Sequence, residues 1–165
     1  MFGFGKKKKD VILENELGSF KLIVCKNHSY YDGYAVWHGT EDKILATVNC
    51  DENGSADKGF KRLSEIVDSS AELEKALLDY TLKSFIDPDK PGEPIEIWGS
   101  GDDEDEADTV SPEEFRKRIS MGFINVDVDG ESLDIDIDLD GMFTDHAFMI
   151  FVDKDGNFSD NGIYG

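Results

Sequence analysis

The side chains in this sequence best placed to do chemistry are Asp140, Asp145 and His146. A carboxylate beside an imidazole orients the ring and raises its basicity, which is the groundwork of general-base catalysis. A base needs a nucleophile to act on, and no motif supplies one. There is no G-x-S-x-G, no Gly-rich phosphate loop and no H-E-x-x-H. His146 therefore reads first as a structural histidine, hydrogen-bonded at the entrance to the strand that follows it. His28 and His38 sit among turn residues. Trp37 and Trp98 read as core or rim residues rather than as a ligand platform.

Just upstream, residues 124–140 alternate apolar and acidic side chains with period two. This is the pattern of a strand pair with one wet face. Asp129-Gly130 is a preferred type I′ turn pair. A two-residue turn there sets Val126 opposite Leu133 and Ile124 opposite Ile135, all on one face. On the other face Asp127 meets Ser132 and Asn125 meets Asp134, so no two carboxylates stand directly opposed. Asp134, Asp136, Asp138 and Asp140 nevertheless form a row along one strand, about 7 Å apart. Three readings stay open for that row. It can be a solvated face whose charge discourages edge pairing. It can be a docking surface for a basic partner. It can be a metal site, although calcium usually gathers loop carbonyls as well. The later Asp153-Lys-Asp-Gly-Asn157 resembles the start of a calcium loop. Phe158 stands where an EF-hand requires Gly and Tyr164 where it requires Glu, so a β-turn is expected there instead. No metal and no cofactor are expected.

The charge is distributed unevenly. The 165 residues carry a net −20; residues 1–90 hold 13 Lys/Arg and 16 Asp/Glu, while residues 91–165 hold 4 and 21. Such a field repels nucleic acid and anionic membrane and attracts a basic protein surface. Two cysteines, Cys25 and Cys50, form no disulfide framework and no zinc motif, and both read as buried thiols. Four lysines follow Met1-Phe-Gly-Phe-Gly without an apolar run behind them, so no signal peptide is expected. No window is apolar enough to span a membrane, and the cytoplasm is the expected location.

The elements that must position these residues are legible in outline. Residues 11–13, 19–25, 33–37 and 43–50 read as strands punctuated by Gly, Asn and Asp, an antiparallel meander. Phe60, Leu63, Ile66 and Val67 recur at helical spacing. Ser69-Ser-Ala-Glu72 reads as a capping box opening a second helix with Leu73, Ala76, Leu77, Tyr80 and Ser84 on one face. Asp87-Pro88 ends it. Residues 95–98 make a short strand, and the six carboxylates of 99–108 make a mobile acidic loop. Ser111-Pro-Glu-Glu114 opens a third helix, with Phe115 and Ile119 inward, Glu113–Lys117 and Glu114–Arg118 paired, and Gly122 as its stop. Residues 147–152 read as a strand.

The expected class is therefore α+β, with antiparallel strands throughout and about three helices: an N-terminal meander plus two helices, then a helix plus a C-terminal hairpin and strand. Three of the four prolines fall in 87–94. They suggest a disordered basic start at 1–9, a first unit over 10–87, a linker and acidic loop over 88–110, and a second unit over 111–165, or one continuous domain over 10–165.

Ser111-Pro-Glu-Glu-Phe115, the Asp129-Gly130 hairpin and Asp140-Gly-Met-Phe-Thr-Asp-His146 together resemble the bacterial family catalogued as domain of unknown function 2262. The resemblance centres on an Asp-Gly-x-Phe-x-x-His signature, carried by Asp140, Gly141, Phe143 and His146. A Trp often follows the signature Phe, where this chain has Thr144. Leu17-Gly-Ser-Phe20 and the strand from Tyr34 to Trp37 resemble the strand-rich upstream half. The resemblance implies an intracellular bacterial protein with an α+β fold and assigns no activity. Two functions remain in view. One is a non-enzymatic acidic binding module, immunity-protein-like, using Asp134, Asp136, Asp138 and Asp140. The other is a hydrolytic or metal-dependent enzyme centred on Asp140 and His146.

Overall fold

The computed structural model describes residues 10–39, 42–98 and 108–164. The basic start and all but Asp108 of the acidic loop expected at 99–108 lie outside them. Ten strands and three helices follow in the order β1 (Ile12–Asn15), β2 (Gly18–Val24), β3 (Ser29–Val36), β4 (Lys43–Asn49), α1 (Asp57–Asp68), α2 (Ser70–Phe85), β5 (Ile95–Ile97), β6 (Asp108–Val110), α3 (Pro112–Arg118), β7 (Ser120–Val126), β8 (Leu133–Asp138), β9 (Ala147–Val152) and β10 (Phe158–Tyr164). The class is α+β. Among the described residues no helix is long and apolar enough to cross a membrane.

Eight strands form one sheet in the order β1-β2-β3-β4-β7-β8-β9-β10, and β5 pairs with β6 apart from it. Two four-stranded antiparallel meanders are thus joined edge to edge. Among the described residues their seam is the one departure from the expected antiparallel pairing: β4 and β7 run parallel, with Leu45 beside Phe123 and Thr47 beside Asn125. Parallel neighbours need a long crossover, and the three helices with β5 and β6 supply it.

All three helices lie on one face. Ile44, Ala46 and Val48 of β4, Ile124 and Val126 of β7, Leu133, Ile135 and Ile137 of β8, and Phe148, Ile150 and Val152 of β9 point to that side and are buried. Period-two alternation in the sequence is what separates them from their polar neighbours. α1 approaches closely enough that a Cβ on Gly59 would stand 2.5 Å from Val48 Cγ1, so only glycine fits there. Phe85 at the end of α2 gathers Phe115, Phe143 and Phe148, with ring centroids 4.9, 5.1 and 5.3 Å away. Such aromatic clusters add to the burial itself. The Arg116 guanidinium fastens α3 to α2 through Asp79, Nε to Oδ1 at 3.0 Å.

Several local expectations are corrected. Ser69 does not cap α2: its backbone is not extended, and its hydroxyl donates to Glu65 O one turn back in α1. The buried residues of α2 are Ser70, Leu77, Leu78 and Thr81, a stripe rotated from the expected one. Ser111 does cap α3, accepting from Glu114 N at 3.2 Å. α3 stops at Arg118 because Ile119 turns extended, and Gly122 belongs to β7. Lys117 pairs with Glu113, but Arg118 turns to Asp140 rather than Glu114. Cys50 is buried, whereas Cys25 is exposed at the end of β2.

Candidate functional site

The β7–β8 hairpin has the expected register: Ile124 faces Ile135, Asn125 faces Asp134 and Val126 faces Leu133. Its turn differs. Gly130 N donates to Asp127 O, which puts Val128 and Asp129 at the turn's centre, and only Gly130 (φ 71°) is left-handed. A type I′ turn would need Asp129 left-handed as well. The apolar pairing fixes the register whichever turn closes it.

On the sheet face away from the helices, β8 presents Asp134, Asp136 and Asp138. β7 places Phe123 and Asn125 to one side, and β9 places Met149 and Phe151 on the other. Polar bonds cross this face. Asn49 on β4 donates to Asn125 Oδ1 at 2.9 Å, and Asn125 donates to Asp134 Oδ2 at 3.1 Å, stitching the parallel seam. Asp136 Oδ1 accepts the hydroxyl of Tyr164. Burial, and then that carboxylate, push the Tyr164 phenol well above its ordinary range. Asp140 is not the fourth member of the strand row, because β8 ends at Asp138.

Past Asp138 the chain makes a tight loop before β9. Asp138 Oδ1 accepts Asp140 N at 2.8 Å. Asp140 takes a left-handed backbone (φ 53°), and its Oδ2 accepts from Arg118 Nε at 2.7 Å while its carbonyl accepts from Arg118 Nη2. Leu139, Met142 and Phe143 plunge into the core. Thr144 is left-handed as well (φ 62°), an uncommon state for a β-branched residue. Its hydroxyl lies 2.5 Å from Phe143 O and 2.7 Å from His146 Nδ1, and Nδ1 lies 3.1 Å from Phe143 O. The hydroxyl has one proton, and the carbonyl can only accept it. The neutral tautomer with its proton on Nδ1 satisfies both contacts, and in that tautomer the Nε2 lone pair is left over.

His146 lines a cavity of about 240 Å³ with Gly122, Phe123, Asp136, Asp138, Gly141, Thr144 and Asp145 among the other walls. Gly122 is the extra residue of a β-bulge in β7, between Met121 and Phe123. Of the expected trio, Asp145 stands at the rim with its carboxylate 3.7 Å from Nδ1 and almost wholly in solvent. Asp140 does not line the cavity. The signature residues thus divide: Asp140 and Phe143 build the loop, Gly141 and His146 border the space.

The carboxylate–imidazole pair does exist, at a place the sequence did not suggest. Glu74 Oε2 lies 2.9 Å from His38 Nε2 and accepts from the indole of buried Trp37 at 2.7 Å. Ser70, one turn before Glu74, accepts from the backbone N–H of left-handed His38 at 3.1 Å. Ser70 and Glu74 lie four apart on α2 and so share the helix face that meets the His38 loop. Glu74, His38, Lys43 and Ser120 line a second cavity of about 330 Å³, which shares Gly122 with the first. Among the described residues no three His, Cys, Asp or Glu side chains are gathered to hold a metal ion.

No curated protein and no solved structure matches this chain. A family model described as an uncharacterized protein conserved in bacteria, DUF2262, matches residues 14–163. That span takes in all three helices, both histidine loops and both meanders but for the outer ends of β1 and β10, and the chain belongs to this family.

Proposed function

We propose that this chain is a non-enzymatic binding module of the bacterial cytoplasm that docks a basic protein on the open face of its sheet, much as an immunity protein masks a basic toxin. The observation that carries this reading is the composition of that face: Asp134, Asp136 and Asp138 run between Phe123 on one strand and Met149 and Phe151 on the other. Phe123, Met149 and Phe151 offer apolar area to bury, and the carboxylates between them steer and orient a positive partner. The net −20 charge works against nucleic acid and anionic membrane as alternatives. An enzyme centred on Asp140 and His146 has less support, because Asp140 is engaged by Arg118.

Cross-linking in bacterial cells followed by capture of the tagged chain tests this. The expected result is a basic protein whose cross-links map to β7, β8 and β9, captured less well as salt rises. Asn at 134, 136 and 138 together, or Phe151→Ser alone, should abolish it. Capture that ignores these changes, or no capture at low or moderate salt, overturns the proposal.

A further inference from the structure

We infer that β1, one edge of the eight-stranded sheet, pairs antiparallel with β1 of a second copy of this chain across a twofold axis at Ile12. This interface is separate from the docking face and does not depend on it. The sheet is open, with β1 and β10 as its edges, and an open edge carries main-chain donors and acceptors that a further strand can take up.

The first hairpin fixes which groups those are. Leu22 N donates to Val11 O at 2.9 Å, so Val11 and Leu22 form a hydrogen-bonded pair. The register sets Leu13 opposite Phe20 and Asn15 opposite Gly18, two residues and four residues on, and these pairs are of the same kind. Ile12 and Glu14 therefore turn their N–H and C=O groups outward. Among the described residues no strand lies beyond them.

The two edges are not alike. β10 is bulged between Asp160 and Ile163, which interrupts any ladder built on it, and it lies in the half with 21 acidic and 4 basic residues. β1 is regular and contains neither proline nor lysine, and beside it Val11 and Ile12 stand 53% and 58% exposed.

Symmetry then selects the occupant and the register. With Ile12 opposite Ile12 of the second copy, that pair meets on the open face. Val11 then meets Leu13 on the helix side, where Leu13 already faces buried Phe20. The exposed apolar side chains cover one another. Setting Glu14 on the axis would oppose like charges, and setting Ile12 opposite Glu14 would waste the apolar area. The favoured register brings Asp10 beside Glu14 of the second copy. Lys21 Nζ, 3.1 Å from Asp10 Oδ2, supplies a cation there. Long-range charge agrees. Joined at β1, the two β8 strands with their aspartates lie eleven strand spacings apart, roughly 50 Å against a screening length of about 8 Å. Joined at β10 they would be five spacings apart. Each chain has one such edge, so the assembly closes at two. At four residues β1 gives a short ladder and hence a reversible dimer.

Sedimentation velocity of the full chain, from micromolar to about 1 mM, tests this alongside amide hydrogen exchange at the same concentrations. A monomer–dimer equilibrium is expected, with exchange at the Ile12 and Glu14 amides slowing as concentration rises. Ile12→Lys, at an exposed site, should weaken dimerisation at least about tenfold. Glu14→Lys sets a cation against Asp10 and should tighten it about fivefold, an opposite change that a damaged fold would not produce. A monomer throughout the range overturns the inference. So does a dimer that ignores Ile12→Lys, or one that Glu14→Lys weakens. Protection of the two amides that is independent of concentration also overturns it, since the edge is then covered by the chain itself.

Discussion

Two loops at one end of the sheet each carry a histidine, and they use it in opposite ways. The loop between β3 and β4 puts His38 against the Glu74 carboxylate, which reaches it from α2. The loop between β8 and β9 turns His146 Nδ1 inward onto a hydroxyl and a carbonyl of its own backbone neighbourhood. The first loop is held by polar side chains of a helix, Ser70 and Glu74. The second is anchored by its own apolar residues, Leu139, Met142 and Phe143, with Arg118 of α3 gripping Asp140, and among the described residues no helix side chain bonds its histidine. The difference teaches that a histidine's sequence neighbours do not set its role. Asp145 adjoins His146 yet points to solvent, whereas Glu74 is remote from His38 yet pairs with it. His38 is built into the fold, and His146 keeps a ring nitrogen for something outside it.

The largest effect expected is from Phe143→Ala, which empties a core position under the second loop and should cost about 4 kcal/mol in urea unfolding. Glu74→Ala should cost about 3 kcal/mol, because the Trp37 indole and His38 both lose their bond to the Glu74 carboxylate. His146→Ala should cost under about 1 kcal/mol, since its bonds are local and partly exposed. If the two histidine loops respond equally to the last two changes, the contrast between them is wrong. Thr144→Gly relieves a left-handed threonine and removes the hydroxyl from Nδ1. Stability should move by less than about 1 kcal/mol while the tautomer mixture of His146, read from its ring nitrogen shifts, moves toward Nε2–H. Smallest is a pH effect away from both loops. The hydrogen bond from Arg116 holds the Asp79 carboxyl below its ordinary value. The stabilisation is therefore present above the unfolded value, near pH 4, and lost as pH falls through the folded one. Asp79→Asn should flatten that part of the acid-unfolding curve.

Much of this was readable in the chain, and the exceptions have physical causes. The β7–β8 register followed from alternation because a one-residue slip would turn every Ile and Val of the pair to the wrong face. The turn that closes it departs from type I′ because Asp-Gly fits more than one turn, and the loop settles against Lys58 on α1: a Cβ on Gly130 would stand 2.8 Å from Lys58 O. Ser69 looked like a cap by spacing, but α1 and α2 meet there without the extended residue a cap needs. The β4–β7 seam left no local trace, since parallel pairing joins segments that share no turn. The Glu74–His38 pair was hidden for the same reason. The partners lie in separate elements, and only the tertiary packing of α2 brings them together.

The parallel seam also bears on how the molecule assembles. Each meander closes through short hairpins, so its contacts are local and form at little entropic cost. Joining Leu45 to Phe123 closes a loop that contains every helix, and that closure comes late by the same reasoning. The second cavity is walled by Lys43 and Ile44 from one meander and by Ser120 and Met121 from the other. It cannot exist in either half alone. A ligand or partner that reads this end of the sheet is therefore reading a finished fold, and it would pass over a chain in which synthesis or refolding had stopped at two unjoined halves.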